Sequence, residues 1–382
     1  MRIDLPGGAY TLREPVSWPL VETPAAGRIV YAAAHVVADP LGDNTPGSPA
    51  AVDWDATLRF RRHLWSHGLR VADAMDTAQR NMGLDWAATK ELIRRSAAEA
   101  ASIGDPATLV ACGAGTDHAP DAADLHTITA AYAEQIETVQ ATGAGVIVMA
   151  SRQLARVASG PQDYHQVYGK LFGLAGRPVI LHWLGEMFDP QLAGYWGSRD
   201  VATATESFLE LIHAYAPMVD GVKVSLLDEE HEVALRAALP AGVKLYTGDD
   251  FNYPSLIKSG SHALLGIFDA IAPAAAAALQ ALDAAEAGDD QALARYDEIF
   301  APTVPLSRKI FETPTYNYKT GIVFLAWLNG HQDAFSMVNG AQSARSLAHL
   351  SEVFRLADQA GLLADQELAV RRMKALLAVN GL

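Results

Sequence analysis

A single cysteine, Cys112, stands among 382 residues. No intramolecular disulfide can form, and neither a cysteine-rich zinc site nor an iron–sulfur cluster can be built. Basic residues are also scarce: 29 lysines and arginines face 44 aspartates and glutamates, a formal net charge of −15. A chain of that sign lacks the basic face that phosphates require, so neither nucleic acid nor an anionic membrane is an expected partner. Long apolar runs are missing too. The mostly apolar, uncharged stretches 138–151 and 270–282 fall short of the ~20 residues that a bilayer span needs. At the amino terminus, Asp4 and Pro6 interrupt the text before any apolar stretch develops, so no secretory h-region is expected there. These absences together point to an acidic cytoplasmic protein.

What is present is ample core-forming material, with half of the residues hydrophobic. From about residue 27 to about residue 285, short β-rich runs alternate with longer helical patterns, the rhythm of a parallel α/β fold. The expected strands are 28–37, 69–75, 108–112, 145–149, 178–183, 221–226, 243–246 and 263–268. Eight strands suit a closed barrel. Helical patterns fall between them at 54–66, 86–101, 122–142, 164–174 and 202–214. An open doubly wound sheet has the same rhythm, but no Gly-rich dinucleotide fingerprint follows the first strand. The expected fold is therefore a (β/α)₈ TIM barrel over residues 1–285, with a short N-terminal extension, and a C-terminal helical extension over 286–382 packed on it. The turn-rich stretch 38–48 reads as a long loop after the first strand, on the side where barrel sites form.

Lys223 lies in Asp220-Gly-Val-Lys-Val-Ser, a run suited to a strand covered on both faces, where a charge is costly. Burial pushes an ammonium toward neutrality and yields a nucleophilic amine. The bland alternative is a stem that snorkels to a carboxylate. Lys244, in Gly242-Val-Lys-Leu-Tyr, has nearly the same context, and spacing does not choose between the two lysines.

Several stretches in order, spanning roughly residues 27 to 330, carry a family likeness. They are Gly113-Ala-Gly-Thr after the third strand, Arg177-Pro-Val-Ile-Leu-His at the fifth, Gly-Val-Lys223 in the sixth, Gly248-Asp-Asp after the seventh, and 260–273 at the eighth. In these the chain resembles the dihydrodipicolinate synthase and N-acetylneuraminate lyase superfamily of class I aldolase-type barrels. The resemblance implies that Lys223 forms a Schiff base with a small carbonyl substrate. The chain also departs from the family pattern. The carboxylate-binding Gly-Thr-Thr-Gly-Glu stretch reads Asp76-Thr-Ala-Gln-Arg, the Tyr-Asn ending of the fifth strand reads His182-Trp, and Pro-Tyr-Tyr after the fourth reads Ala150-Ser-Arg. A branch of the superfamily known only as a domain of unknown function resembles the chain in these replacements.

His182 can take the proton-relay position of the missing tyrosine, because an imidazole titrates near neutral pH. The bland reading is a core histidine beside Trp183. Glu186 and Asp189 follow on the same loop as acid–base candidates, although a solvated loop acid is the commoner finding. Asp76, Thr77, Arg152 and Gly266 are candidate substrate contacts. Arg152 can clamp an anion bidentately, or it can simply make a surface ion pair. Asp76, His182 and Glu186, with His35, Asp117 and His118, form a pool of oxygen and nitrogen ligands, so a divalent metal is a secondary expectation without a compact ligand motif behind it.

The leading expectation is a lyase or aldolase acting on a keto acid or keto sugar through the covalent imine on Lys223, with no other cofactor. A metal- or acid–base-dependent isomerase or hydro-lyase in the same barrel is the alternative, and a non-catalytic small-molecule-binding barrel is a third reading. A homo-oligomer, dimer or tetramer, is also expected, with the apolar stretch 322–328 offering surface and Tyr316 and Tyr318 lining an interface.

Overall fold

The computed structural model describes all residues except Leu20, Glu22 and 76–79. Its centre is a closed barrel of eight parallel strands: β3 (Val30–Ala33), β4 (Arg70–Asp73), β5 (Val110–Ala114), β6 (Gly145–Val148), β7 (Val179–Leu184), β8 (Val219–Ser225), β9 (Lys244–Thr247) and β10 (His262–Leu265), with β10 closing on β3. Two further strands, β1 (Arg2–Leu5) and β2 (Gly8–Thr11), form an antiparallel hairpin at the amino terminus. Each of the eight barrel strands overlaps one of the eight β-rich runs of the sequence.

Period-two alternation sorts each barrel strand into two faces. Tyr31, Ala33, Ala72, Ala111, Ile147, Ile180, Tyr246 and Leu264 pack together as the barrel interior. Residues of opposite parity, such as Val30, Val71, Val146, Leu181 and Val222, join the larger core beneath the helices. Helices start where aspartates can accept from their first turns. Asp53 caps Trp54–Ser66, Asp85 caps Trp86–Ala101 and Asp200 caps Val201–Ala214, each accepting from a backbone N–H three residues on. Such a cap satisfies a donor that the helix itself cannot pair.

The first strand is shorter than its β-rich text. Past Ala33 the chain is drawn aside where the backbone N–H of His35 donates to Asp269 Oδ2 at 2.7 Å. The hairpin was not visible in the sequence, because four-residue strands around Pro6-Gly-Gly carry almost no periodic signal. It is held by the far end of the chain: Tyr10 OH donates to Asp358 Oδ2 at 2.6 Å and Trp18 Nε1 to Gly361 O at 2.8 Å.

After the barrel come six helices, Ala272–Glu286, Ala292–Phe300, Thr303–Ile310, Tyr318–Leu328, Leu347–Gln359 and Gln366–Val379. Tyr318–Leu328 is buried on every side, as its apolar text on all faces requires. The expectation that 322–328 offers surface to a second copy is therefore overturned. That stretch is consumed inside this chain. Tyr318 is likewise buried rather than presented at an interface, whereas Tyr316 is exposed.

Candidate active site

In a barrel of this kind the ends of several strands converge at the C-terminal face. Lys223 lies two residues before the end of β8 and is register-paired with Tyr246 of β9 and His182 of β7. Tyr246 belongs to the interior layer, and register partners in a parallel ladder share a face, so Lys223 and His182 point into the barrel. Lys223 is 7 % exposed and His182 fully buried. The two are neighbours on adjacent strands. His182 Nε2 lies 3.3 Å from the hydroxyl of Ser225, the last residue of β8.

Lys244 is placed very differently. It starts β9, at the opposite end of the strands, and its amine donates to Asp220 Oδ1 at 2.7 Å. Its similar text thus has the bland explanation, a stem reaching a carboxylate at the rim.

The interior makes room for the Lys223 stem through a missing side chain. A Cβ built on Gly248 would lie 2.2 Å from Ser225 Oγ, 2.6 Å from Val224 O and 3.0 Å from Lys223 Cε. Two residues on is Asp250, buried, whose Oδ1 accepts from Ile267 N–H at 2.8 Å. Burial pushes this carboxyl up to about 7, against the Ile267 hydrogen bond and the cations of Lys223 and Lys319, which draw it down, and with Asp249 adding to the rise. Its neighbour Asp249 instead accepts from the backbone of Phe251 and Asn252 and shapes the turn.

Lys319 comes from the C-terminal extension and is 2 % exposed. Its ammonium donates to Ala33 O at the end of β3 and lies 3.3 Å from Asp269 Oδ2. Burial would raise Asp269, yet His35 and Lys319 beside it hold it well below the usual carboxylate range. His35 Nδ1 is 2.9 Å from Asp269 Oδ2.

Aromatic rings roof the mouth. Phe311 stacks on Tyr318 with centroids 4.2 Å apart, and Phe188, from the loop after β7, meets both edge-on. A Cβ on Gly266 would lie 2.8 Å from the Tyr318 ring and 2.9 Å from that of Phe311. Gly266, an expected substrate contact, makes room for these rings. Alongside the roof, a cavity of about 380 Å³ opens against Leu184 at the end of β7, with Arg152, Asp189, Tyr316 and Asn339 around it. Arg152 Nε donates to Asp189 Oδ2 at 2.6 Å, so the arginine faces the cavity with one edge already engaged.

Glu186 is exposed in the turn after β7. Asp76 and Thr77 lie outside the described residues. The metal-ligand pool is dispersed where it can be seen: His35 goes to Asp269, Asp117 to the buried guanidinium of Arg80, and His118 to Gln135 and Glu134. Among the described residues no three His, Cys, Asp or Glu side chains are grouped to hold an ion.

Asp250 and Ser225 lie in motifs that the sequence offers, without being singled out as site residues, and Lys319 goes unnoticed altogether. Asp250 left a usable signal, an Asp pair directly after a barrel strand. Lys319 left none, because a lysine in the middle of apolar helix text identifies no partner strand.

The closed barrel, its mouth and its helical extension define the fold class, which is that of the dihydrodipicolinate synthases. Dihydrodipicolinate synthase from Aquifex aeolicus superposes with a TM-score of 0.64 at 12% identity over 88% of this chain and 99% of that one. The chloride-inhibited enzyme from Acinetobacter baumannii, complexed with pyruvate, gives 0.62 at 15% identity, with 88% and 100% covered. The 4-hydroxy-tetrahydrodipicolinate synthase from Methylacidiphilum fumariolicum SolV gives 0.64 at 12%, with 91% and 99% covered. No curated protein sequence matches the chain. Within that class, the chain belongs to the family described as "Protein of unknown function (DUF993)", matched over residues 4–382. No helix among the described residues is long and apolar enough to cross a membrane.

Proposed function

We propose that the protein is a Schiff-base lyase or aldolase that acts on a small keto acid or keto sugar through Lys223. One observation carries this reading: a lysine amine enclosed on the inner face of the barrel near its C-terminal end, beside an imidazole and a buried carboxyl. A permanent ammonium is expensive in such a place, whereas a neutral amine is a nucleophile.

In the proposed reaction the Lys223 Nζ lone pair forms a bond to the substrate's carbonyl carbon, and the carbonyl π pair moves to oxygen, which takes a proton. A proton then passes from the quaternised nitrogen to that hydroxyl, which leaves as water, and the nitrogen lone pair closes on carbon to give a cationic iminium. That cation accepts the electron pair released when an adjacent carbon–hydrogen or carbon–carbon bond breaks, giving an enamine. Among the described residues, His182 and Asp250 are the groups suited to deliver and remove these protons. Return of a proton to carbon and addition of water free the product and the amine. Arg152, at the adjoining cavity, offers its remaining N–H groups to an anionic end of the substrate.

The dihydrodipicolinate synthase fold supports this choice of chemistry, and the pyruvate in one of those structures makes pyruvate the first substrate to test. Incubation with pyruvate and a panel of keto acids and keto sugars in the presence of borohydride should add the mass of one reduced adduct, located on Lys223 by peptide mapping. Lys223→Met should abolish it. An adduct on Lys244 or Lys319, or none with any carbonyl compound, would remove Lys223 from the mechanism.

A further inference from the structure

The end of the barrel opposite Lys223 is left partly open by small side chains. Its interior layer there holds Tyr31 and Tyr246, their rings 5.9 Å apart and edge to face, whereas β5 and β6 contribute only Ala111 and Gly145, paired in register. A cavity of about 230 Å³ results, lined also by Arg70, Arg177 and Asp220.

Small residues explain the space but not the charges in it. Arg70 is the first residue of β4 and pairs in register with Tyr31, so its side chain points into this end of the barrel. Its guanidinium carbon lies 5.7 Å from the centre of the Tyr31 ring, and no carboxylate among the described residues pairs with it. Arg177 stands exposed at the lip, with one N–H donating to Gly143 O at 3.3 Å. Asp220 is the one carboxylate among the lining residues, and both of its oxygens are taken: Lys244 donates to Oδ1 and Tyr246 OH to Oδ2, each at 2.7 Å. Asp220 and Lys244 together are neutral. What is left over is the charge of two guanidiniums, gathered at one cavity in a chain whose formal net charge is −15.

We propose that this cavity is a binding site for a small dianion, phosphate or a short dicarboxylate, held between Arg70 and Arg177 at the end of the barrel away from Lys223. The inference is independent of the Schiff-base reading.

A guanidinium's planar fork matches an oxyanion with parallel hydrogen bonds, which a tyrosine ring cannot offer it. Arg70 opens β4 and Arg177 precedes β7, three strands round the barrel, so the two reach a ligand from different sides. The Tyr31 and Tyr246 rings keep that space low in dielectric, where such pairing is stronger than in water. The positive field is felt by His262, whose ring is 5.6 Å from that of Tyr246: burial lowers it most, and Lys244, Arg28 and Arg70 add to the fall. Of these cations Arg28 is already engaged by Glu286. Charge balance then sets the ligand class. A neutral molecule gains little from the arginines, and a monoanion leaves one of them unbalanced.

The test is isothermal titration calorimetry of the full-length chain at low ionic strength and mildly alkaline pH, with sodium phosphate and, separately, sodium succinate as dianions. Sodium chloride at matched ionic strength is the reference. Saturable binding of one equivalent is expected; phosphate alone would indicate a tetrahedral head, and succinate alone a ligand charged at both ends. Arg70→Met should weaken the binding roughly tenfold or more, and Arg177→Met should weaken it in the same sense. Arg177 is exposed, so its variant keeps the fold and decides alone should Arg70→Met fail to fold. Lys223→Met should bind as the parent does. Heats that chloride reproduces, no saturable binding of either dianion, or an affinity unchanged in the arginine variants would overturn the proposal. So would loss of binding in Lys223→Met, which would put the anion at the other end of the barrel.

Discussion

Two lysines on adjacent barrel strands show how far a side chain's neighbours decide its chemistry. Lys223 and Lys244 have nearly interchangeable local text, yet one is enclosed beside an imidazole and the other pairs with Asp220 at the opposite rim. Text gives a strand; only the register and the direction of the barrel say which end of it a residue occupies. His182 is the testable consequence. If it carries protons for the imine, His182→Ala should lower turnover by roughly 100-fold or more while borohydride trapping on Lys223 persists. Unchanged turnover in that variant would pass the role to Asp250 alone. Gly248 tests the geometry rather than the chemistry. Its Cβ position is closed by the Ser225 hydroxyl and by Val224 O, and the latter is backbone that cannot swing away as a side chain does. Gly248→Ala should therefore cost about 1–3 kcal/mol in urea unfolding and slow imine formation by displacing the lysine stem. A variant as stable and as reactive as the parent would mean that the strand ends yield to the added methyl group.

At the scale of elements, the barrel was legible because strands buried on both faces read as short apolar runs, while the barrel helices, buried on one face, show the longer helical period. The helices at 54–66 and 86–101 were read to the residue, since aspartates cap both. The roof was not legible. Phe188 lies on a loop, Phe311 just past a short helix and Tyr318 at the start of another, so no periodicity connects them; only the fold brings them over Gly266. Lys319 was hidden for the same reason, since its partners Ala33 and Asp269 are 286 and 50 residues away in sequence. The helical extension thus completes the mouth rather than merely covering the barrel. Truncating its central ring makes the point measurable: Phe311→Ala removes the stacking partner of Tyr318 and should cost about 3–5 kcal/mol. It should also raise the KM for any trapped keto acid, because water enters the chamber. Lost stability with an unaltered KM would confine the roof to a structural role.

Over the whole molecule, buried ionisable groups of both kinds set how stability depends on pH. Burial pushes Glu232, which accepts from Thr247 and Ser261, up to about 8, and Asp250 up to about 7. Their folded values are raised, so each binds a proton more tightly folded than unfolded. That contribution is complete below the ordinary carboxylate range and is lost as pH climbs through 7 and 8. Buried histidines act in the opposite sense, His63, His331 and His262 the most strongly. Burial takes His63 down to about 3 and His331 and His262 down to about 4, and the ring of His262 accepts from Ile29 N–H, as only a neutral imidazole can. Their stabilisation is full above the ordinary imidazole range and is lost as pH falls toward 4 and 3. The two sets oppose each other between the two ranges, so the melting temperature should be highest near pH 6 to 7 and fall on both sides. The alkaline fall belongs largely to Glu232, the last of these groups to ionise. Glu232→Gln keeps an acceptor for Thr247 without a charge to bury, and its melting curve should stay flat from about pH 7 to about pH 9, where that of the parent declines. Differential scanning calorimetry across that interval at low salt reads the difference directly. An equal alkaline decline in both proteins would mean that Glu232 is already ionised in the folded chain, and that its partners Thr247, Ser261 and Arg236 offset its burial.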